Sequence, residues 1–513
     1  MNAILEYFIE NDKVKEVLEN IKKQTGPISI LGLTDVVKTC LVNTVNVCNN
    51  QKILIITYNE LQAKKIYKDI KYFQRKVAFF PKKETVTYEY VAQSKDIFYE
   101  RIDILNKLRD NEIEILVTTI ESLMQPIISK KELYENVLDI KIGKSYNLDE
   151  IKQKLVLLGY ERAELTEGRG QFSLRGDILD IATEKNSGIR IEFWGDEVDS
   201  IRTYNISSQR SVENIKRVTI NPASELIIEK SEDDTTSIKN GNSIVLEYVQ
   251  DFIKVLDEPT KIQARAENIV KDNQMLIKSI LEKGKQVPFD IENLKNDEEV
   301  ISSISKNCVY LEKQDASNYS RNQIRFRTRD VNFSRSNIEA FIEETKCKEK
   351  DKTVVVLAGT EESAKKIQEI LLDNSISYKF LYELENLDLE KVNIGLGGLS
   401  AGFECYDIGL IVITGEELFT GETRRKQVST AFSKGQKVVF ADLKISDSKK
   451  SIEDSQVIPL PPALFFQFPS YTNLSKSFSS DNPLFFAYSL INGTYLFLNL
   501  LLIWEFIQSD QLE

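Results

Sequence analysis

Between Tyr160 and Ser211, apolar and polar positions alternate along the chain. That period of two belongs to strands with one dry and one wet face. Turn residues cut the run at Glu167–Gly170, at Glu184–Gly188 and at Trp194–Glu197, so the segment predicts several hairpin-forming strands. Arg175, Arg190, Trp194 and Arg202 sit on those strands. Planar and forked groups of this kind are suited to gripping a protein partner. An ordinary antiparallel sheet with a charged outer face is the plainer reading of the same residues.

Elsewhere the pattern changes. Pro27–Leu31, Lys52–Thr57 and Glu114–Thr119 are short continuous apolar runs, the mark of strands buried on both faces. Between them, Asp35–Asn49 and Glu60–Phe73 have helical spacing, the second with Leu61, Ile66, Ile70 and Phe73 along one face. Strand–helix–strand repetition predicts a parallel sheet covered by helices. Leu148–Leu158 is the one clear helix of the region leading into the alternating run. Ser243–Lys285 reads as helical and polar. A second α/β unit begins near Asp351, with a strand at Thr353–Leu357, a helix at Glu361–Leu372 and a strand at Asp407–Thr414. Arg321–Arg335 interleaves five arginines with Phe326 and Phe333. It reads either as a link between domains or as a stacking surface for single-stranded nucleic acid.

Composition narrows the chemistry. The 513 residues suffice for two to four domains. A net charge of −12 argues against wholesale nucleic-acid binding, which draws its affinity from phosphate neutralisation. There is no histidine, which removes histidine-based triads, imidazole proton shuttles and histidine metal sites. Cys40, Cys48, Cys308, Cys347 and Cys405 form no CxxC pair and read as reduced thiols of a cytoplasmic protein. No metal site and no catalytic residue is expected.

One segment imitates a phosphate loop. Gly32-Leu33-Thr34-Asp35-Val36-Val37-Lys38-Thr39 follows a strand and opens a helix, and Gly32, Lys38 and Thr39 stand where a G-x-x-x-x-G-K-[ST] loop requires them. Val37 replaces the glycine before the lysine, and a β-branched residue disfavours glycine-only backbone conformations. Asp35 would repel a triphosphate. No acidic partner strand is evident in this first unit, so the loop reads as a relic and no cofactor is expected.

The segments G-R-G-Q-F-S-L-R-G-D-I-L-D-I, R-I-E-F-W-G-D-E-V-D-S-I-R and S-Q-R-S resemble the domain shared by the bacterial transcription-repair coupling factor (Mfd) and UvrB. Tyr90–Leu105 and Thr118–Gln125 resemble the first domain of the coupling-factor family, and Gly415–Arg425 the end of its third. The resemblance implies docking onto UvrA, the damage-recognition ATPase of nucleotide excision repair, through Arg175, Arg190 and Trp194, with Arg202 a weaker candidate. The family usually has phenylalanine where Trp194 stands. A first domain that has lost nucleotide binding also fits the family.

The expected architecture is α/β: a degenerate P-loop-like parallel-sheet domain, an inserted mixed α+β UvrA-docking domain, and a second small α/β domain. The boundaries are 1–136 and 222–349 for the first domain, 137–221 for the insertion and 350–447 for the small domain. Ala441–Asp447 resembles the family's lead-in to its polymerase-binding module. Residues 448–513 then form an aberrant apolar tail, in which Pro483–Trp504 carries no charge. A reading-frame change, a replacement tail and a membrane anchor all account for it, the anchor least well, since Asn492, Gly493 and Asn499 interrupt the run and no basic flank orients it. RNA polymerase, duplex DNA, ATP and magnesium would belong only to modules of the intact family protein that are missing from this chain. The expected function is therefore UvrA recruitment in transcription-coupled repair, without enzyme activity. A membrane-tethered UvrA-binding decoy and a nucleotide-dependent helicase-like enzyme are the alternatives.

Overall fold

The computed structural model describes residues 2–23, 26–83, 96–230, 236–240, 243–314, 319–320, 322–331, 337–346, 352–419, 457–459 and 465–467. The chain divides into two units, 1–418 and 419–513. In the second, Val457–Pro459 pairs antiparallel with Phe465–Gln467. The expectations for residues 90–95, for 420–447 and for the apolar stretch Pro483–Trp504 lie outside the described residues.

Helices α1 (Ala3–Glu10) and α2 (Asp12–Lys23) precede a strand–helix alternation: β1 (Ile28–Leu31), α3 (Asp35–Asn49), β2 (Ile53–Thr57), α4 (Glu60–Phe73), β3 (Val77–Phe80), α5 (Asp96–Arg109) and β4 (Ile115–Thr119). Two short helices follow, α6 (Ile120–Met124) and α7 (Lys130–Glu135). Strands β1, β2 and β4 are buried throughout, which is why they read as apolar runs without alternation. Asn59 caps α4 by accepting from the Gln62 amide. That helix buries Ala63, Ile66 and Ile70. Leu61 does not join them, contrary to the periodicity reading, and is 83% exposed. It lies two residues before Ala63, which turns it to the other side of the helix.

The middle unit begins with β5 (Leu138–Lys141) and α8 (Leu148–Leu157). Strands β6 (Glu161–Arg162), β7 (Gln171–Arg175), β8 (Ile178–Ile181), β9 (Ser187–Trp194), β10 (Glu197–Asn205) and β11 (Ser211–Asn214) form a six-stranded sheet in the order β11-β10-β9-β8-β7-β6. Strand β12 (Arg217–Ile220) returns to pair with β5. The dry face presents Phe172, Leu179, Ile181, Ile189, Ile191, Phe193 and Ile201 to one core with Ile151 and Leu155 of α8. The sheet has two more turns than the sequence pattern indicates, at 176–177 and at 206–210. Gly176 and Asp177 join β7 to β8, and Gly176 takes a φ of +60°, a conformation glycine adopts without steric cost.

Strands β13 (Leu226–Lys230) and β14 (Thr236–Asn240) make a hairpin. The stretch expected to be wholly helical contains instead a 3-10 turn at Val245–Tyr248 and a strand, β15 (Ile253–Asp257), before α9 (Pro259–Glu282). Pro259 opens α9, a position where its missing N–H costs nothing. Next come α10 (Phe289–Glu292), α11 (Asp297–Ile304), β16 (Val309–Glu312) and β17 (Asn322–Arg325). The resulting seven-stranded sheet runs β17-β1-β16-β15-β2-β4-β3, every pair parallel. Strands from either side of the middle unit therefore interleave in a single sheet.

A further six-stranded sheet has the order β18-β22-β23-β19-β21-β20. Its elements are β18 (Thr328–Asp330), α12 (Asn337–Lys346), β19 (Thr353–Leu357), α13 (Glu361–Asp373), β20 (Tyr378–Leu381), β21 (Val392–Gly395), β22 (Phe403–Cys405) and β23 (Leu410–Thr414). Val355, Leu357 and Phe403 share one apolar cluster with Phe8, Val36 and Leu41, so this sheet packs on the helices of the first. Asp69 of α4 accepts from both the amide and the hydroxyl of Ser400, each at 2.6 Å. The arginine-rich stretch runs along this junction. Arg327 pairs with Asp407 and Arg329 with Glu404, while Phe326 is buried. Arg327 and Arg329 thus make internal ion pairs while more than half of each side chain stays exposed.

Candidate partner-docking face

Strand register decides which side chains share a face. Across the middle sheet, Ser173 pairs with Asp180, Asp180 with Arg190, Arg190 with Arg202 and Arg202 with Asn214. The adjoining row on the same face is Arg175, Ile178, Glu192 and Ser200. Trp194 lies two residues beyond Glu192, opposite Glu197 at the β9–β10 turn. Side chains two apart point the same way, so Arg175, Arg190, Trp194 and Arg202 all lie on the face away from α8.

The four are not equivalent. Asp180 is fully buried, and Arg190 forks onto it, Nε at 2.7 Å from Oδ1 and Nη2 at 2.9 Å from Oδ2. Arg175 reaches the same carboxylate with one nitrogen at 2.8 Å, its side chain half exposed. The hydrogen bonds to Asp180 lead the causes that hold the Arg190 guanidinium above its ordinary value. Arg190 also lies 4.8 Å from the ring centre of Tyr204, whose hydroxyl is 2.6 Å from that of Thr166. Gly188 is required beneath this ring, since a Cβ there would come within 2.5 Å of it. Arg202 pairs with Glu192, which also accepts from Ser200 at 2.8 Å. Trp194 is 85% exposed. Arg175 and Arg190 share the single carboxylate of Asp180, and the bare indole of Trp194 stands opposite Glu197. Such a face suits an acidic surface that offers a pocket for an aromatic.

The imitation phosphate loop has different geometry. Lys38 is buried, its Nζ 2.7 Å from Asp257 Oδ1 and 2.5 Å from Glu258 Oε1. Asp257 further accepts from Thr57 at 2.9 Å, and Glu258 from the Lys313 amide at 2.9 Å. Burial lowers the lysine's proton affinity, but Asp257 and Glu258 outweigh it and the net direction is upward. Some of the loop's own groups are engaged as well. The Thr34 amide donates to Thr328 Oγ1, which donates in turn to the Gly32 carbonyl. A Cβ on Gly32 would meet the Phe326 carbonyl oxygen at 2.2 Å. Asp35 pairs with Lys65 at 3.0 Å. A nucleotide needs free loop amides and a free lysine, and Lys38 and the Thr34 amide are not free. The sequence reading found no acidic partner in this unit, and Asp257 and Glu258 correct it. Asp257 closes β15 and Glu258 stands at the N-cap of α9, in the stretch taken for helix. The buried run Val255-Leu256 ending in two acids was the overlooked signal.

Asp180, Glu192 and Tyr204 were also missed, although the alternation places all three on the wet face. Among the described residues no group of three or more acidic or cysteine side chains is placed to hold a metal, and no helix is long and apolar enough to cross a membrane.

Residues 138–226 match the UvrB interaction domain family. The chain is similar to curated transcription-repair-coupling factors. That of Bacillus subtilis (strain 168) is 25% identical over 512 residues, covering 87% of this chain and 43% of the relative. Those of Staphylococcus aureus (strain bovine RF122 / ET3-1) and Staphylococcus haemolyticus (strain JCSC1435) are 25% and 24% identical at the same coverage. The chain thus spans less than half the length of these relatives. Residues 138–226 thus resemble a UvrB interaction domain, set in a chain that is similar to the N-terminal part of the transcription-repair-coupling factors.

Proposed function

We propose that the wet face of the middle sheet docks UvrA, and that the chain thereby takes part in transcription-coupled nucleotide excision repair. The observation carrying this reading is the pairing of a half-exposed Arg175 with a bare Trp194 on one rigid face of the UvrB interaction domain. Arg190 and Asp180 hold the sheet surface in place. Arg175 supplies a half-exposed guanidinium, Trp194 the apolar anchor, and Arg202 a flank of the patch.

The role is recruitment. No nucleotide chemistry is assigned to Gly32–Thr39, because Lys38 and the Thr34 amide are already engaged within the protein. RNA polymerase, duplex DNA and ATP-driven movement are assigned to none of the described residues. Calorimetric titration of purified UvrA into the chain tests the reading. Binding to wild type with a large loss for the Arg175→Ala, Trp194→Ala double variant supports it, and equal affinity for the two overturns it.

A further inference from the structure

Helix α5 belongs to the first sheet's layer yet touches the docking domain at both ends of its fold. Near the domain's exit, Arg101 is fully buried and donates from Nε to Glu225 Oε1 at 2.6 Å. Lys83 approaches the other oxygen of Glu225 at 2.9 Å. The Arg101 guanidinium also donates to the Pro81 carbonyl and lies 4.2 Å from the ring centre of Phe80. Four residues of separation along a helix place side chains on one face, and Tyr99 and Asp103 use that spacing to reach the loop before β7. Asp103 takes Arg169 bidentately, at 2.7 and 2.5 Å. The Tyr99 hydroxyl donates to the Arg169 carbonyl at 2.8 Å, and the guanidinium lies 4.8 Å from the Tyr99 ring centre. Gly170 accommodates the contact, since a Cβ there would meet the Tyr99 hydroxyl at 2.3 Å.

The two contacts differ in kind. The Glu225 cluster is dry and surrounded, whereas the Asp103 side chain is 43% exposed. Arg169 is 17% exposed, so opening the second contact strands less buried charge than opening the first. Arg169 lies two residues before β7, the strand that ends at Arg175.

We propose that Tyr99 and Asp103 are positioning residues for the docking face. They latch the Arg169 loop to α5 and so fix the direction in which the Arg175–Trp194 surface points relative to the seven-stranded sheet. The Arg101–Glu225 pair, with the Arg109–Asn221 hydrogen bond at 3.0 Å, is the pivot that remains when the latch opens. The purpose assigned to the latch rests on the docking reading, but its existence does not, and its test uses no UvrA.

Spin labels at Lys185 and Lys271, introduced through cysteine in a Cys48→Ser, Cys347→Ser background, report the distance between docking domain and α9 by pulsed electron resonance. Wild type should give one narrow distribution. Asp103→Arg and Arg169→Asp should each shift and broaden it, and their combination, which restores the pair in reverse, should narrow it again. Tyr99→Phe, which keeps the ring and removes the hydroxyl, should broaden it less. Unchanged distributions in both single-charge variants overturn the proposal, as does a double variant no narrower than the singles. Loss of UvrA binding with unchanged distances would count against the latch alone, and unchanged UvrA binding in Arg175→Ala, Trp194→Ala against the docking reading alone.

Discussion

Arg190 holds Asp180 with two hydrogen bonds, at 2.7 and 2.9 Å, and the carboxylate they share is fully buried. Arg175 adds one bond from a half-exposed position. The two arginines should therefore separate experimentally. Arg190→Ala should lower stability by about 2–3 kcal/mol, the scale for losing charge-assisted bonds to a buried group. Arg175→Ala should cost little stability and mainly weaken UvrA binding. Thermal unfolding beside calorimetry distinguishes them, and equal stability losses would contradict the assignment.

Trp194 is a cleaner probe because the fold barely uses it. Trp194→Ala should leave stability within about 0.5 kcal/mol of wild type, as for surface positions generally. An anchor residue of an interface loses about 2–4 kcal/mol of binding on truncation. Trp194→Phe should retain part of that affinity. A Trp194→Ala protein that binds UvrA normally would remove the anchor.

Lys38 faces two carboxylates in the interior. Lys38→Met should destabilise the chain by about 3–5 kcal/mol, since it strands buried charge. Adding Asp257→Asn should recover part of the loss. Magnesium-ATP should leave the Tm of wild type unchanged, and a concentration-dependent rise would restore the loop to nucleotide binding. The lysine's raised value also has a sign. Its contribution is complete below the ordinary lysine value of 10.5 and disappears as pH rises through the higher folded value.

Glu225 gives the opposite limb. Burial pushes its carboxyl up, but Arg101 and Lys83 outweigh burial and the net direction is below the ordinary 4.5. Its stabilisation is full above that ordinary value and is lost as pH falls through the depressed folded one. Glu225→Gln should cost about 3–5 kcal/mol at neutral pH by leaving two cations inside. The variant should also flatten the acid side of the stability profile, measured by denaturant titration across pH. A variant as pH-sensitive as wild type would assign the acid transition to other groups.

Local pattern settled much of this protein before any coordinate. The spans Asp35–Asn49 and Glu60–Phe73 follow from apolar spacing, and the period of two between Tyr160 and Ser211 already assigns Arg175, Arg190 and Arg202 to the wet side. Such features depend on neighbours a few residues away, which a sequence displays directly. The partners of the charges were hidden. Asp257 finds Lys38 across 219 residues, and Glu225 finds Arg101 across 124. Strand order in the sheet and the packing of α5 bring those pairs together, and no periodicity encodes them. Which arginine is free to meet a partner was thus a tertiary decision, made wherever a buried carboxylate had to be neutralised.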